Sequence, residues 1–488
     1  MILCSVKGAG ALPAYIKHGF CKERVYYVVT MDAKVSQAYA KATKDINGRL
    51  DGHYQHEGVK WMLQREFGKD ARGGILADDM GLGKTMQTIA TMRGNPQLTL
   101  IITIVSTVAQ WRDALIQFGG FTPIIVNPSF RGILPALNET TVVLTTYSAF
   151  QVKSPPACFG MEWGRIILDE GHAIRNPSCK TNKEINKLTT QIKWILSGTP
   201  MQNGTKDIIT LAQWVGHSTQ DIDEIASTII LRRTQAEQAA LNQRLALPPL
   251  DSKIVRLEFA SKDERDFYRD LDEYYYNLAA GQANKTIVME AILRCRQAAT
   301  HPQLFIDSQK GKKRKRMDES LLVMPVTTTK FTYLLEDIDD VHTNTTEKVL
   351  VFCTWTLEMK LLQEGLAARN IASLIYEGSL SRDNKEAMLY NFRHTGIRVL
   401  LLQITCGNAG LNLQEASRVY ITSPQWNPCI ELQALGRAYR KGQTQKVTCV
   451  RLVMGDTIEE RCGNVQLLKL EEIRDVMSDG SMLERLGE

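Results

Sequence analysis

Three short stretches of the chain carry side chains whose types and spacing suit phosphate chemistry. Lys84 and Thr85 follow a glycine-rich turn in GGILADDMGLGKTMQTIA (73–90), and Asp169 and Glu170 are adjacent in IILDEGH (166–172). A lysine with backbone N–H groups can hold phosphates, a hydroxyl with a carboxylate can hold magnesium, and a second carboxylate can deprotonate water. The third stretch, QALGRAYRKGQT (433–444), spaces Arg437 and Arg440 three residues apart, on one face if helical. Guanidinium groups stabilise a transferring phosphoryl group, so together the stretches indicate nucleotide hydrolysis.

The turn around Gly81 and Gly83 has the setting of a phosphate-binding loop. The preceding apolar residues 75–77 suit a buried strand, and the following residues suit a helix whose N-terminus favours an anion. One departure stands out, because Asp78 occupies the position of the first glycine of such loops. The alternative interpretation is an ordinary strand-to-helix turn with a solvated lysine.

The carboxylate pair and the arginines also have alternative explanations. An Asp-Glu pair is favoured at any helix N-terminus by the helix dipole, and most arginines pair with surface acids. At the C-terminal end of a parallel strand, however, carboxylates lie where open sheets bind ligands. Because the pair follows the loop by about a hundred residues in one block of strands, we favour catalysis.

The elements that must position these groups form two blocks. Short β-branched runs alternate with helical stretches, which predicts two parallel sheets covered on both faces. The runs are GGILA, LTLIITIV, TVVLTTY, RIILDE and KWILSGT in the first block, and KVLVFCTW, IASLIYEG, IRVLLLQI, SRVYITS and VTCVRLV in the second. Between the blocks, apolar residues recur at helical spacing. The fold class is therefore α/β, with two lobes and a helical insert.

Composition limits the class of protein. The 488 residues include ten cysteines without a Cys-x-x-Cys pair, which indicates neither structural zinc nor a disulfide framework. We find no segment apolar enough to span a membrane and no secretion signal, and expect an intracellular protein. The net charge of +6 resides in the basic run KGKKRKR (310–316), which is interpreted as a solvated loop, a nuclear-import signal or a DNA-contacting arm.

An ordered set of motifs resembles the Swi/Snf-type ATPases of helicase superfamily two, closest to the helicase-like transcription factor subgroup in a reduced form. The resemblance extends from about residue 50 to residue 470. The segments are HYQHEGVKWM, ILADDMGLGKT, IVSTVAQW, LTTY, DEGH, LSGTPMQN, LRRT, LRCRQAATHPQL, KVLVFCTW, YEGSLS, CGNAGLNLQEASRVY, QWNP and QALGRAYRKGQT. Members of this family characteristically carry an acidic residue at the Asp78 position, which favours a working nucleotide site.

The resemblance implies two RecA-like lobes and assigns residues by position. The implied domains are an N-terminal segment without an assigned role (1–45), lobe 1 (46–203), helical protrusions and linker (204–346) and lobe 2 with a closing helix (347–488). Gln55 matches the glutamine that reads adenine. The predicted site residues are: for ATP, Gln55, Asp78, Asp79, Met80, Gly81, Leu82, Gly83, Lys84 and Thr85; for catalysis, Lys84, Asp169, Glu170, Arg437 and Arg440; for Mg²⁺, Thr85 and Asp169; for DNA, Ser106, Thr107, Thr405 and Trp426.

The sequence departs from the family pattern at three positions. Asp79 replaces the usual Glu, Gln425 the usual Trp and Tyr439 the usual His; the second change puts a DNA contact in doubt. The place where the subgroup carries an inserted RING finger holds only the basic run, so ubiquitin ligation is not indicated. Such a reduced motor resembles relatives encoded by large DNA viruses.

The expected function is a DNA-dependent ATPase that uses ATP and Mg²⁺ to translocate on double-stranded DNA and displaces DNA-bound proteins. Its setting would be transcription, chromatin, or DNA repair and replication. We expect a monomeric motor in the nucleus, or in a cytoplasmic virus factory or virion if it is viral. The main alternative is a strand-separating superfamily-two helicase on DNA or RNA, and a further one is a nucleotide-dependent adaptor that does not hydrolyse ATP.

Overall fold

The structure is a computed structural model that describes residues 32–46, 50–69, 72–280, 285–309, 328–405, 411–477 and 481–487. The basic run at 310–316 and most of the N-terminal segment lie outside these residues.

Two all-parallel sheets form the frame, as the alternating apolar runs predict. The first sheet has the order β3-β4-β2-β5-β6-β1-β7. Its strands are β1 (Arg72–Leu76), β2 (Thr99–Thr103), β3 (Ile124–Ile125), β4 (Val142–Thr146), β5 (Glu162–Asp169), β6 (Thr189–Leu196) and β7 (Ile230–Leu231). The second sheet has the order β10-β11-β9-β12-β13-β8. Its strands are β8 (Leu250–Leu257), β9 (Val349–Cys353), β10 (Ser373–Tyr376), β11 (Val399–Gln403), β12 (Arg418–Ile421) and β13 (Val447–Met454).

Helices cover both faces of each sheet. The central strands β2, β4, β9 and β11 are buried almost throughout because helices pack on either side. The helices of the first part are α1 (Ala33–Asp45), α2 (Gly52–Phe67), α3 (Lys84–Gly94), α4 (Val108–Gly119), α5 (Lys180–Ile185), α6 (Thr205–Val215), α7 (Ile222–Thr228) and α8 (Gln235–Leu241). Those that follow are α9 (Lys262–Ala280), α10 (Lys285–Thr300), α11 (Pro302–Gln309), α12 (Thr329–Asn344), α13 (Thr356–Ala367), α14 (Arg382–His394), α15 (Pro428–Leu435), α16 (Ile458–Met477) and α17 (Ser481–Leu486).

The two-lobe α/β fold with a helical insert is confirmed. The helices of the insert pack around an apolar core that they share with the second lobe: Phe267 and Leu271 of α9, Cys295 of α10 and Phe305 of α11 pack with Met454 of β13. The predicted helical region 204–346 also supplies strands that the sequence pattern did not show. Strand β7 extends the first sheet beside β1, and β8 extends the second beside β13. The exact domain boundaries stay predictions.

The C-terminal helices contact both lobes. The sequence predicted a helix that closes the second lobe, and α16 is that helix, but Leu470 and Ile473 pack into an apolar cluster of the first lobe. The Glu472 carboxylate also accepts a hydrogen bond from the backbone N–H of Thr205, at 2.9 Å. The lobes are therefore docked against each other. None of the described helices is long and apolar enough to cross a membrane.

Helix α1 gives the end of the N-terminal segment a structural role. Its Ala38 and Ala42 are buried, and they pack against Gly94 at the end of α3. An added Cβ at Gly94 would lie 2.6 Å from the carbonyl oxygen of Ala38, so only glycine permits this approach. Helix α1 thus supports the helix that begins at the phosphate loop.

Candidate active site

The phosphate loop has the geometry that its glycines predict. Strand β1 ends at Leu76, and α3 begins at Lys84 directly after Gly83. Gly81 and Gly83 have φ angles of 91° and 75°, in the left-handed region that favours glycine. The loop therefore turns tightly from a buried strand into a helix N-terminus, which is where a phosphate group binds well.

The two acidic residues of the loop pair with arginines that arrive from residues 231–234. Asp78 accepts a hydrogen bond of 2.9 Å from Arg233 Nε and one of 3.0 Å from Gln87 Nε2. Asp79 accepts one of 3.1 Å from Arg232 Nη2. All four charged residues are buried, at 4% exposure or less. The Asp78 carboxylate, at the usual glycine position, therefore holds the loop against Arg233. Because the side chains of Asp78 and Asp79 are occupied by arginines, these two residues can contact ATP only through their backbone groups.

Removing the ion pair between Asp78 and Arg233 should lower the urea concentration at which the first lobe unfolds. Asp78→Asn keeps the shape but leaves the buried Arg233 guanidinium without a counter-charge, which typically costs about 3–5 kcal/mol. Urea unfolding followed by tryptophan fluorescence measures the loss. Asp113→Asn, which removes the partner of Arg112 on the exposed face of α4, is the control and should change stability by less than about 0.5 kcal/mol. Equal midpoints for the two variants would contradict this role of the ion pair.

Lys84 and Gln55 lie against the loop's own backbone. Lys84 Nζ donates to the carbonyl oxygens of Asp78 at 2.6 Å and Asp79 at 3.2 Å. The Gln55 amide donates to the carbonyl oxygen of Leu82 at 3.2 Å. Both side chains are at the loop, as predicted, and both must exchange these hydrogen bonds to contact phosphate or adenine.

Asp169 is fixed by three neighbouring segments. Its Oδ2 accepts hydrogen bonds from Thr103 Oγ1 at 2.7 Å and from Trp111 Nε1 at 2.8 Å. Its backbone carbonyl accepts one from the Tyr147 hydroxyl at 2.9 Å. Sequence reasoning gave no role to Thr103, Trp111 or Tyr147, although the motifs IVSTVAQW and LTTY contain the last two.

Glu170 has a strained backbone and a polarising neighbour. Its φ of 52° and ψ of 48° place a non-glycine residue in the left-handed region, an unfavourable conformation that clusters at functional sites. The His172 ring nitrogen Nδ1 lies 3.3 Å from Glu170 Oε2 and 3.2 Å from Ser197 Oγ. The turn therefore directs the Glu170 carboxylate toward the residues that follow β6.

The pKa values of the Asp169 and Glu170 carboxyl groups are shifted in opposite directions. Burial, reinforced by the charge of Glu170, raises the pKa of Asp169 to about 6. Burial alone would raise the pKa of Glu170, but the hydrogen bond and charge of His172, with the charge of Lys84, outweigh it and lower that pKa. Glu170 is thus ionised at neutral pH and able to accept a proton.

Thr85 and Asp169 fit a magnesium ion. Their hydroxyl and carboxylate oxygens are the hard donors that Mg²⁺ prefers. Two adjacent carboxyl groups withdrawn from water repel each other, and a divalent cation would offset that cost.

The two predicted arginines lie in the cleft between the lobes. Arg437 is 4% exposed, and its Nε has no hydrogen-bond partner among the described residues. Burial lowers its pKa to about 10, and Glu170 of the other lobe is close enough to oppose that shift. Burial also lowers the pKa of Arg440. A buried N–H group without a hydrogen-bond partner is costly, and an anion bound in the cleft could supply that partner.

Further contacts hold the lobes in register around these arginines. Gln433 Nε2 donates to Thr199 Oγ1 at 3.1 Å, and Asn427 Nδ2 donates to Gln202 Oε1 at 2.9 Å. Arg485 of α17 reaches Asp79 in the phosphate loop, at 2.6 Å. The segment LSGTPMQN therefore contacts the second lobe.

The predicted DNA contacts occupy different settings. Ser106 follows β2 and is exposed, and Thr405 follows β11 in the second sheet and is exposed too. Thr107 is partly buried and bonded within the first lobe, whereas the Trp426 ring packs against the core of the insert. Gln425, where the family has Trp, is 7% exposed and donates to Thr354 Oγ1 at 3.0 Å. Its amide is thus internal, and all four DNA assignments stay predictions.

Comparison with known proteins matches both lobes. The SNF2-related domain family matches residues 54–220, and the helicase conserved C-terminal domain family matches residues 329–442. A solved structure described as the Sulfolobus solfataricus SWI2/SNF2 ATPase core in complex with dsDNA is 23% identical, with 91% of this chain and 97% of that chain covered and a TM-score of 0.39.

Three curated relatives cover most of the chain. The SWI/SNF chromatin-remodeling complex subunit snf22 of Schizosaccharomyces pombe is 28% identical, covering 83% of this chain and 27% of its own length. The probable global transactivator of Orgyia pseudotsugata multicapsid polyhedrosis virus is 26% identical, covering 83% and 86% respectively. The DNA repair protein RAD5B of Arabidopsis thaliana is 26% identical, covering 84% and 46%.

The chain thus spans less than half the length of the fungal and plant relatives, and most of the viral one. Both domain matches include the residues assembled in the cleft, from the phosphate loop in one lobe to the paired arginines in the other. The chain therefore contains an SNF2-related domain, which includes the phosphate loop, and a helicase conserved C-terminal domain, which includes the paired arginines.

Proposed function

We propose that the chain is an ATP-driven translocase on double-stranded DNA that remodels or displaces DNA-bound proteins. The observation that carries this proposal is Arg437, a buried guanidinium of the second lobe that lies near Glu170 of the first. Because hydrolysis needs groups from both lobes, each turnover is tied to closing and reopening of the cleft. Such a cycle can move a polymer held by both lobes.

The chemistry divides among the residues of the cleft. Lys84 and the backbone N–H groups of residues 81–85 hold the phosphates, and Gln55 contacts the adenine. Glu170 takes a proton from the attacking water while the bond from the γ-phosphorus to the bridging oxygen breaks. Arg437 and Arg440 stabilise the charge on the transferring group. Mg²⁺, held by Thr85 and Asp169, would neutralise charge on the phosphate oxygens when bound.

The candidate DNA contacts lie at corresponding edges of the two sheets. Ser106 and Thr107 follow β2, and Thr405 follows β11, so each lobe offers hydroxyl groups at the carboxyl ends of its strands. Hydroxyl and backbone N–H groups hold phosphates without reading bases. Binding is therefore expected to tolerate sequence changes and to weaken with added salt.

The named roles of the relatives support the setting. They are named as a chromatin-remodeling complex subunit, a probable global transactivator and a DNA repair protein, and chromatin is DNA that carries bound proteins. DNA-bound proteins are accordingly the proposed cargo. The proposed location is the nucleus, or a cytoplasmic virus factory or virion, and the proposed working unit is a monomer.

A strand-separating helicase would use the same catalytic groups. The two functions can be distinguished by which nucleic acid, duplex DNA or RNA, stimulates the ATPase more. We expect duplex DNA to raise the ATPase rate at least about tenfold more than RNA, because the motor should track an intact duplex. The protein should displace a third strand, or a protein roadblock, from duplex DNA without opening a plain forked duplex. Steady-state ATPase assays and gel-based displacement measure both properties. Efficient unwinding of the fork, or stimulation by RNA alone, would favour the helicase.

A further inference from the structure

A short hydrogen-bonded chain joins the candidate DNA segment to the magnesium ligand. Thr107 Oγ1 lies 2.5 Å from Thr103 Oγ1, which in turn lies 2.7 Å from Asp169 Oδ2. Thr103 is fully buried at the end of β2, whereas Thr107 lies beside the exposed Ser106. The chain of hydroxyl groups thus runs from the protein surface to the active site.

The hydrogen bonds between Thr107, Thr103 and Asp169 can point in two alternative directions, because each hydroxyl group has a single proton. Each hydroxyl group has one proton to donate. When Thr103 donates to Asp169, the short contact between the two threonines requires that Thr107 donate to Thr103. Thr107 has a competing acceptor in the carbonyl oxygen of Ile104, at 3.0 Å, so its proton has two positions. The direction of the proton on Thr107 therefore decides where Thr103 can donate.

Trp111 keeps the rest of the arrangement fixed. Its indole N–H donates to the same Asp169 oxygen at 2.8 Å, and the ring is 2% exposed. Within the described part of the chain, both side-chain hydrogen bonds to Asp169 end on Oδ2 and none ends on Oδ1. The carboxylate therefore cannot rotate freely, and Oδ1 is the oxygen left for a metal.

We propose that Thr103 is a positioning residue that couples phosphate contact at Thr107 to the metal ligand Asp169. This inference rests on the proposed DNA-binding function. A DNA phosphate that accepts the Thr107 proton leaves the Thr107 oxygen as an acceptor, and the Thr103 proton turns from Asp169 toward it. Asp169 Oδ2 then loses one donor, and the carboxylate becomes a stronger ligand for Mg²⁺. Duplex DNA thus strengthens binding of the magnesium–nucleotide complex.

The coupling must act in both directions. If DNA raises the affinity for magnesium–nucleotide by some factor, then magnesium–nucleotide raises the affinity for DNA by the same factor. Such factors typically lie between about 5 and 150. DNA binding therefore provides a readout that needs no hydrolysis.

The test is fluorescence anisotropy of a labelled DNA duplex with a non-hydrolysable ATP analogue, with and without Mg²⁺. We expect wild type to bind the duplex at least about fivefold more tightly when Mg²⁺ and the analogue are both present. In Thr103→Val, which keeps the shape and removes the hydroxyl, the ratio should fall close to one. Thr103→Ser restores the hydroxyl and should restore the ratio.

Thr145→Val is the matched control, because Thr145 is also buried on the neighbouring β4, and among the described residues its hydroxyl group donates only to the carbonyl oxygen of Val126. It should keep the wild-type ratio. If Thr103→Val does not fold, Thr107→Val removes the other hydroxyl at a partly exposed site and should lower the same ratio. A wild-type ratio in the folded threonine variants overturns the coupling and leaves the proposed function intact. Failure of wild type to bind duplex DNA overturns both.

Discussion

Replacing Glu170 by Gln is expected to preserve ATP binding and to lower the hydrolysis rate by about a hundredfold to ten-thousandfold. The amide retains the shape of the side chain but cannot accept a proton from water, and loss of a general base typically costs that much. Binding should persist because Lys84, the loop N–H groups and the magnesium ligands remain in place. Single-turnover hydrolysis and equilibrium binding of a fluorescent ATP analogue separate the two effects.

The control for this variant is Glu162→Gln, at the exposed start of the same strand β5. It makes the same chemical change far from the turn and should leave both measurements near wild type. The left-handed backbone at residue 170 belongs to the turn and not to the carboxylate, so Glu170→Gln should still fold, although it loses the favourable charge interactions with His172 and Lys84. Turnover within a few-fold of wild type would refute the assignment of Glu170 as the base.

The sequence predicts the central strands well, because buried strands consist almost entirely of apolar residues. Strands such as β9 and β11 are apolar at nearly every position, as strands covered on both faces must be. The sequence does not predict the edge strand β8, because this strand contains Asp251, Lys253 and Arg256 and mostly alternates between half-buried and exposed positions. Strands β3 and β7 have two residues each, which is too short for any periodicity.

Some residues of the candidate site can also be predicted from the sequence, and others cannot. The loop glycines, Lys84 and the carboxylate pair are visible because local geometry demands those residue types at that spacing. The partners of these groups are not visible, because Arg233 comes from 155 positions beyond Asp78, and Trp111 comes from 58 positions before Asp169. A single sequence contains no signal for such pairings. The acidic residue at the glycine position could only be explained once its arginine was located.

The cleft arginines should control turnover without controlling ATP affinity. In Arg437→Ala, Lys84 and the first-lobe loop still bind ATP, but the transferring phosphoryl group loses its guanidinium. Loss of an arginine that contacts this group costs about a thousandfold or more in rate. Arg437→Lys should rescue little, because a lysine lacks the planar fork. Duplex-stimulated ATPase assays measure the rate, and Arg393→Ala, at an exposed pair with Glu415 in the second lobe, is the control.

Stability gives an independent test of the same arginine. Because the Arg437 guanidinium is buried and its Nε has no partner among the described residues, it should destabilise the protein when no nucleotide is bound. Arg437→Met, which fills the space without the charge, should therefore raise the thermal midpoint of the nucleotide-free protein while abolishing hydrolysis. A residue kept only for packing would show the opposite, with a lower midpoint and near-normal turnover. That result, or normal duplex-stimulated hydrolysis in Arg437→Ala, would refute a role for Arg437 across the cleft.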